Sequence, residues 1–325
     1  MFVDAFVKDK KTGEPIKNLT RDNFQVLDNG KPRTLSYFSH EGNVRRPLAL
    51  VLFLNLEYTG ARRYLERADV LASLAIALAK LSPEDEVAVM GTWNGIGGKP
   101  VMLADLTHDR AKAIAALAPP RSAAEESMAE GGYEVMNEAA QKALRIATRE
   151  RPNSQVVLLY ISDGFAVLDV ADFGERRKVA SKLIEGNVNF SALTCNMVKG
   201  MAAAVAVANV PLRILGASFT GSEQFLAKQT GGVTVKVNRP EDFGAGLQQI
   251  TSDFASRYSL GFTLGENDIN DGRLHRLDVK IKVRGVRGNK ERKLTVSARR
   301  GYYPQDIAEK KVTPVEQQTT NESKH

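Results

Sequence analysis

From residue 47 onward the chain alternates two kinds of segment, and that alternation limits the folds open to it more than any single motif. "PLALVLFLN" (47–55), "DEVAVMGTW" (85–93), "QVVLLYIS" (155–162) and "NVNFSALT" (187–194) are short, nearly continuous apolar runs. Between them "ARRYLERADVLASLAIALAKL" (61–81), "EVMNEAAQKALRIATRE" (134–150) and "VADFGERRKVASKLIEG" (170–186) carry apolar residues at helical spacing. A strand with no polar face is covered on both sides, and helices in the connections supply the cover. The expected fold class is therefore α/β, a doubly wound, mainly parallel sheet. "KPVMLADLT" and "GGVTVKV" add strands, and "DRAKAIAALA", "SEQFLAKQT" and "PEDFGAGLQQITSDFASR" add helices.

The two ends obey a different grammar. "VDAFVKD" and "NFQVLDNGKPRTLSYFS" read as strands, with Asp28-Asn29-Gly30 as a hairpin turn. Beyond residue 256, "RYSLGFTL", "RLHRLDVKIKVRG" and "KLTVSARRGYY" return to strands. The expectation is a β-sandwich made from residues 1–46 plus 254–303, with an α/β domain, residues 47–253, inserted into it. Residues 304–325 are rich in Pro, Gln, Thr, Asn and Lys, the composition of a disordered tail.

Length and charge exclude little: 325 residues give room for two domains, and a net charge of +7 argues for solubility and mild attraction to anionic surfaces. The single cysteine, Cys195, excludes an internal disulfide and any zinc site built on several thiolates. No stretch reaches the ~20 apolar residues of a membrane span. "FVDAFVKDKKTG" follows Met1 as a strand already under way, so an export signal or leading strand is expected to precede it; the expected setting is periplasmic or extracellular, with the cytoplasm as the alternative.

Where the first α/β strand should emerge stand Asn55, Glu57 and Thr59, and a later strand ends in "YISDGF". A polar triplet and an Asp-Gly at those two places resemble a von Willebrand factor type A domain. The flanking "VKDKKTGEPIKNLTRDNFQVLDNGKPRTLSYFS", "LAKQTGGVTV", "ITSDFASRYSLGF" and "DGRLHRLDVKIKV…ARRGYYP" resemble the bacterial VWFA-related family best represented in acidobacteria, over about residues 4–303. The resemblance implies a protein-binding or adhesion module, and a metal-ion-dependent adhesion site in which Asp, Ser, Ser, Thr and Asp surround a divalent cation. Here Asn55, Glu57, Thr59 and Tyr133 stand at the first four positions, and only Asp163 matches. Mg²⁺ tolerates little departure from octahedral oxygen ligation at about 2.0–2.1 Å, so the site reads as degenerate. The expectation is no tight metal and no cofactor, with Glu57, Thr59 and Asp163 as weak Ca²⁺ or Mg²⁺ candidates. These five residues form the expected partner-binding face.

Two further stretches carry competing readings. Arg273 to Arg300 holds eleven Lys/Arg against Asp278 and Glu291: a charged edge strand that deters pairing, or a basic hairpin for an acidic partner. Aromatic residues are missing until Tyr302 and Tyr303, which disfavours nucleic acid. Residues 196–221 interrupt the place where a short loop should join strand to helix. They read as a buried loop or short helix, or else as an exposed patch for self-association.

Signals for catalysis do not assemble. His40, His108, His275 and His325 are scattered, and none stands near Cys195 in a recognisable context. "GTWNGIGGK" follows a strand but leads into another strand, which is not how a phosphate loop is built. The expected function is a non-enzymatic protein-interaction or adhesion module. The alternatives are a structural subunit of a homo-oligomeric or multi-protein assembly, a Ca²⁺/Mg²⁺-dependent binding protein, and, last, a hydrolase using a Glu57–Asp163 carboxylate pair.

Overall fold

A computed structural model describes residues 1–40, 46–56, 61–93, 99–118, 123, 134–165, 170–197, 199–265, 272–282 and 293–304. At its centre lies a six-stranded sheet of β5 (Leu48–Asn55), β6 (Glu86–Thr92), β7 (Val101–Thr107), β8 (Gln155–Ser162), β9 (Asn189–Cys195) and β10 (Thr234–Val237), in the order β10-β9-β8-β5-β6-β7. Every neighbouring pair is parallel except β6 with β7, where the short strand-to-strand connection reverses the chain.

The apolar run of β5 explains its central place. Leu48, Leu50, Leu52 and Leu54 face one core, closed by helices α2 (Ala68–Ala79) and α8 (Pro240–Ala255). Ala49, Val51 and Phe53 face the other, closed by α4 (Val135–Arg145), α5 (Phe173–Glu185) and α7 (Ser222–Thr230). Each of these leucines is fully buried, worth ~1.5–3 kcal/mol apiece. Helix α3 (Arg110–Ala115) starts at Asp109, whose side chain accepts the Lys112 amide. The segment 61–81, expected as one helix, is instead a short α1 (Arg62–Leu65) and α2, because Arg67 between them is extended.

Both chain ends supply the second body. One sheet runs β13-β1-β11-β4 and the other β14-β12-β2-β3, all pairs antiparallel. The strands are β1 (Phe2–Asp9), β2 (Phe24–Asp28), β3 (Lys31–Arg33), β4 (Leu35–His40), β11 (Tyr258–Phe262), β12 (His275–Ile281), β13 (Leu294–Ala298) and β14 (Gly301–Tyr302). The two sheets share one core, Val3, Ala5 and Leu260 from the first against Val26, Leu277 and Tyr302 from the second. This is the expected sandwich. Asn29 and Gly30 turn β2 into β3 with φ of 47° and 81°, the two-residue hairpin geometry that Asn-Gly favours.

The sandwich also has a polar heart: Asp28, 1% exposed, accepts Arg33 Nε at 3.0 Å and the Tyr302 hydroxyl at 3.1 Å, with His275 Nδ1 at 3.2 Å. In the basic stretch, β13 lies at a sheet edge while β12 lies inside its sheet. Residues 283–292, which include Arg284, Arg287, Lys290 and Arg292, lie outside the described residues. Arg299 is partly buried, and burial pulls its guanidinium down to about 10, opposed by Asp4.

Helix α7 joins the two bodies. The Arg300 amide donates to the Gln229 carbonyl at 2.8 Å, and Arg257 donates to the Gly231 carbonyl at 2.7 Å. Gly231 ends α7 at φ +78°, and a Cβ there would stand 2.5 Å from the Arg299 amide nitrogen, so only glycine allows this approach.

Candidate functional site

The strand order makes one edge of the parallel sheet distinctive. From β5 the chain goes on to β6 at one side, whereas β8, on the other side of β5, is followed by β9 still further out. Connections leaving the C-terminal ends of β5 and β8 therefore diverge, and in open α/β sheets that switch point is where ligands are received. Leu54 of β5 lies beside Ile161 of β8, so Asn55 and Ser162 end their strands side by side.

Each end has its own hydrogen-bonding logic. Asn55 is fully buried and its Nδ2 donates to the Tyr160 hydroxyl at 2.9 Å, within the core face that includes Phe53. Asp163, also buried, takes the Phe165 amide on Oδ1 at 3.1 Å, which shapes a turn through Gly164 at φ +77°. The Gly164 amide donates to Ser162 Oγ at 2.9 Å, and that hydroxyl donates in turn to the carboxyl of Glu223. Thr194, at the end of β9, donates to the other oxygen of Glu223 at 2.6 Å.

Glu223 is the residue that sequence reasoning missed. It stands in the first turn of α7, where an acid ordinarily complements the helix dipole in water. Here it is 2% exposed, and burial pushes it up to about 7, with the Ser162 and Thr194 hydroxyls opposing and Asp163 adding to the rise. No signal in the local sequence distinguishes it, because its partners come from β8 and β9. Cys195 next door is buried, its thiol donating to the Ser162 carbonyl at 3.2 Å. Burial, then Asp163 and Glu223, pushes this thiol up to about 12, far from the thiolate that nucleophilic chemistry requires.

Of the five residues expected on this face, Asn55 and Asp163 therefore end adjacent strands at the switch point, while Glu57, Thr59 and Tyr133 lie outside the described residues. A hard divalent cation wants several oxygens, anionic ones first. Asp163 Oδ1 already takes an amide, and the hydroxyls of Ser162 and Thr194 are directed to Glu223. Among the described residues no group of three His, Cys, Asp or Glu is placed to hold a metal ion.

The chain matches no known family model and no curated protein. It is similar in shape to several solved structures. The conserved hypothetical protein BatB from Bacteroides thetaiotaomicron is 16% identical over 64% of this chain and 98% of its own, with a TM-score of 0.43. The pilus adhesin SpaC from Lactobacillus rhamnosus GG is 11% identical over 75% of this chain and 35% of its own, at 0.41. Manganese-loaded TRAP protein from Plasmodium vivax is 12% identical over 81% of this chain and 96% of its own, at 0.38. These likenesses carry no statement about ligands or partners. No described helix is long and apolar enough to cross a membrane.

Proposed function

We propose that this chain is a non-enzymatic protein-interaction module of the von Willebrand type A kind, exported in its natural setting, whose recognition edge works without a tightly held cation. The observation that supports this reading is the internal carboxyl: Glu223 is buried beneath the strand ends, held by the Ser162 and Thr194 hydroxyls, and burial raises it to about 7, so a proton rather than a cation is its expected companion. A partner docking at the switch point would meet hydrogen-bonding groups and apolar loop residues such as Phe165, which stacks on Phe219 with ring centroids 5.2 Å apart. Recognition would then rest on direct contacts rather than on an acidic residue completing a metal shell.

Calorimetric titration of chelator-treated protein with Ca²⁺ and Mg²⁺ tests this. The expected result is no saturable heat in the micromolar range. Micromolar binding that disappears in Asp163→Ala would overturn the reading and restore a cation-dependent one. A second reading, a structural subunit that assembles with copies of itself, is favoured by a different feature, the apolar helix that follows β9.

A further inference from the structure

The segment between β9 and α7 is not a buried loop but a sixteen-residue helix, α6 (Lys199–Ile214), and most of its circumference faces water. Only a narrow stripe faces the protein. Val205 and Asn209 are buried, and Asn209 fixes the return strap by accepting the Phe219 amide at 2.7 Å and donating to Thr220 Oγ1 at 3.1 Å. Arg176 of α5, buried beneath, donates to the Ser218 and Thr220 carbonyls of the same strap. The helix is thus firmly seated while its outer face is bare.

That outer face is apolar. Val207, Val210, Ile214 and Leu215 are 74, 67, 86 and 76% exposed, and Ala203 lies on the same stripe, at helical spacing from Val207. A contiguous patch on the order of 500 Å² is at the upper end of what soluble monomers leave uncovered. Lys199 and Arg213 are the helix's only charged residues, and no acid occurs between Glu185 and Glu223.

The order of sizes along the stripe selects the occupant. The first position of the stripe is small, Ala203, the last is bulky, Ile214, and Val207 and Val210 lie between them. A parallel copy would set bulk against bulk. An antiparallel copy, related by a two-fold axis between positions 208 and 209, sets Ala203 against the partner's Ile214 and Val207 against the partner's Val210. Large then meets small at both ends, and each contact occurs twice, as an isologous interface requires. In this register Arg213 faces the partner's Ala204. The two Arg213 side chains lie nine residues apart along the axis, ~14 Å, beyond the reach of unscreened repulsion.

We infer that α6 is the interface of a two-fold homodimer, its outer stripe pairing antiparallel with the same stripe of a second copy. The inference stands on this helix alone and does not depend on how the switch-point edge is used. About 1,000 Å² buried between the two copies is at the low end of specific interfaces, so the dimer dissociates on dilution.

Sedimentation velocity from about 1 to 200 µM tests it. The expected result is a monomer–dimer shift in the wild type that is lost in Val207→Asp and in Ile214→Asp, both exposed positions at which an unchanged melting curve shows the fold intact. Register is read by oxidative cross-linking. The double variant Ala203→Cys with Ile214→Cys should form a covalent dimer, and Ala203→Cys alone should not, since its partner thiol would be ~16 Å away. A monomer throughout the concentration range overturns the inference. So does cross-linking by Ala203→Cys alone, which would mean a parallel pairing. Flotation of a strictly monomeric chain with phosphatidylglycerol vesicles, abolished by Ile214→Asp, would assign the face to a lipid surface instead.

Discussion

The Thr194 hydroxyl donates to the buried carboxyl of Glu223 at 2.6 Å, tying the C-terminal end of strand β9 to the first turn of helix α7. The far end of that helix is held to the sandwich through Gly231 and Arg257. One short helix therefore spans from the switch-point edge to the junction between the two bodies, and several expectations follow from its two ends.

Stability should fall as pH rises from about 4.5 to about 7. In the folded chain Glu223 titrates at about 7, whereas an unburied glutamate does so at 4.5. Between those values the folded state keeps a proton that the unfolded state has released, so the stabilisation is complete below the lower value, is lost progressively, and levels off above the upper one. A shift of this size corresponds to at most about 3 kcal/mol. Asp253, raised by burial to about 6 with Lys8 and Arg257 opposing, acts in the same direction. Glu86, held low by Arg151, stays ionised over this range and adds no slope. Urea unfolding at about pH 5 and about pH 8 should show the decline in the wild type and a much flatter profile in Glu223→Gln; an equal slope in the variant would remove Glu223 as its source.

Gly231 and Gly221 both have positive φ, yet they should respond differently to alanine. At Gly221 nothing lies within 4 Å of a built Cβ, so only the backbone penalty of ~1 kcal/mol applies. At Gly231 the Cβ meets Arg299 and Ala298 backbone at 2.5 and 2.7 Å, so α7 must part from β13. A loss larger by at least ~2 kcal/mol is expected, read from the urea midpoint.

Asn55 and Tyr160 should be energetically coupled. Tyr160→Phe removes one partner of a buried hydrogen bond and Asn55→Ala the other, each costing ~1–3 kcal/mol. The double variant should cost less than the sum by ~0.5–1.5 kcal/mol in a thermodynamic cycle.

In the sandwich, Asp28→Ala should be among the most damaging single changes, by ~3 kcal/mol or more, because it removes the buried carboxylate that accepts both Arg33 and the Tyr302 hydroxyl. Differential scanning calorimetry of the variant measures this directly.

Much of the architecture was legible because it rests on local pattern. Short continuous apolar runs such as Leu48–Leu54, alternating with helical patterns, read as strands covered on two faces, and Asn29-Gly30 announces its turn by backbone preference alone. Helix α6 was legible only as a short helix or a loop, because its valines and Pro211 carry poor helical propensity and its outer face lacks the polar residues that normally mark the water side. The break before α2 depends on Arg67 leaving the helical region, which no periodicity reports. At the edge, Asn55 and Asp163 could be named from strand ends, whereas Glu223 could not: its role arises only when α7 is laid across the ends of β8 and β9.

The central claim is that a proton, rather than a cation, accompanies the buried Glu223 carboxyl. The most direct measurement is a ¹³C-detected NMR titration of the Glu223 side-chain carboxyl, with and without Mg²⁺. The account predicts a midpoint near 7 that Mg²⁺ leaves unchanged. A midpoint that drops into the ordinary carboxylate range when Mg²⁺ is added would mean that a cation replaces the proton, and would contradict it.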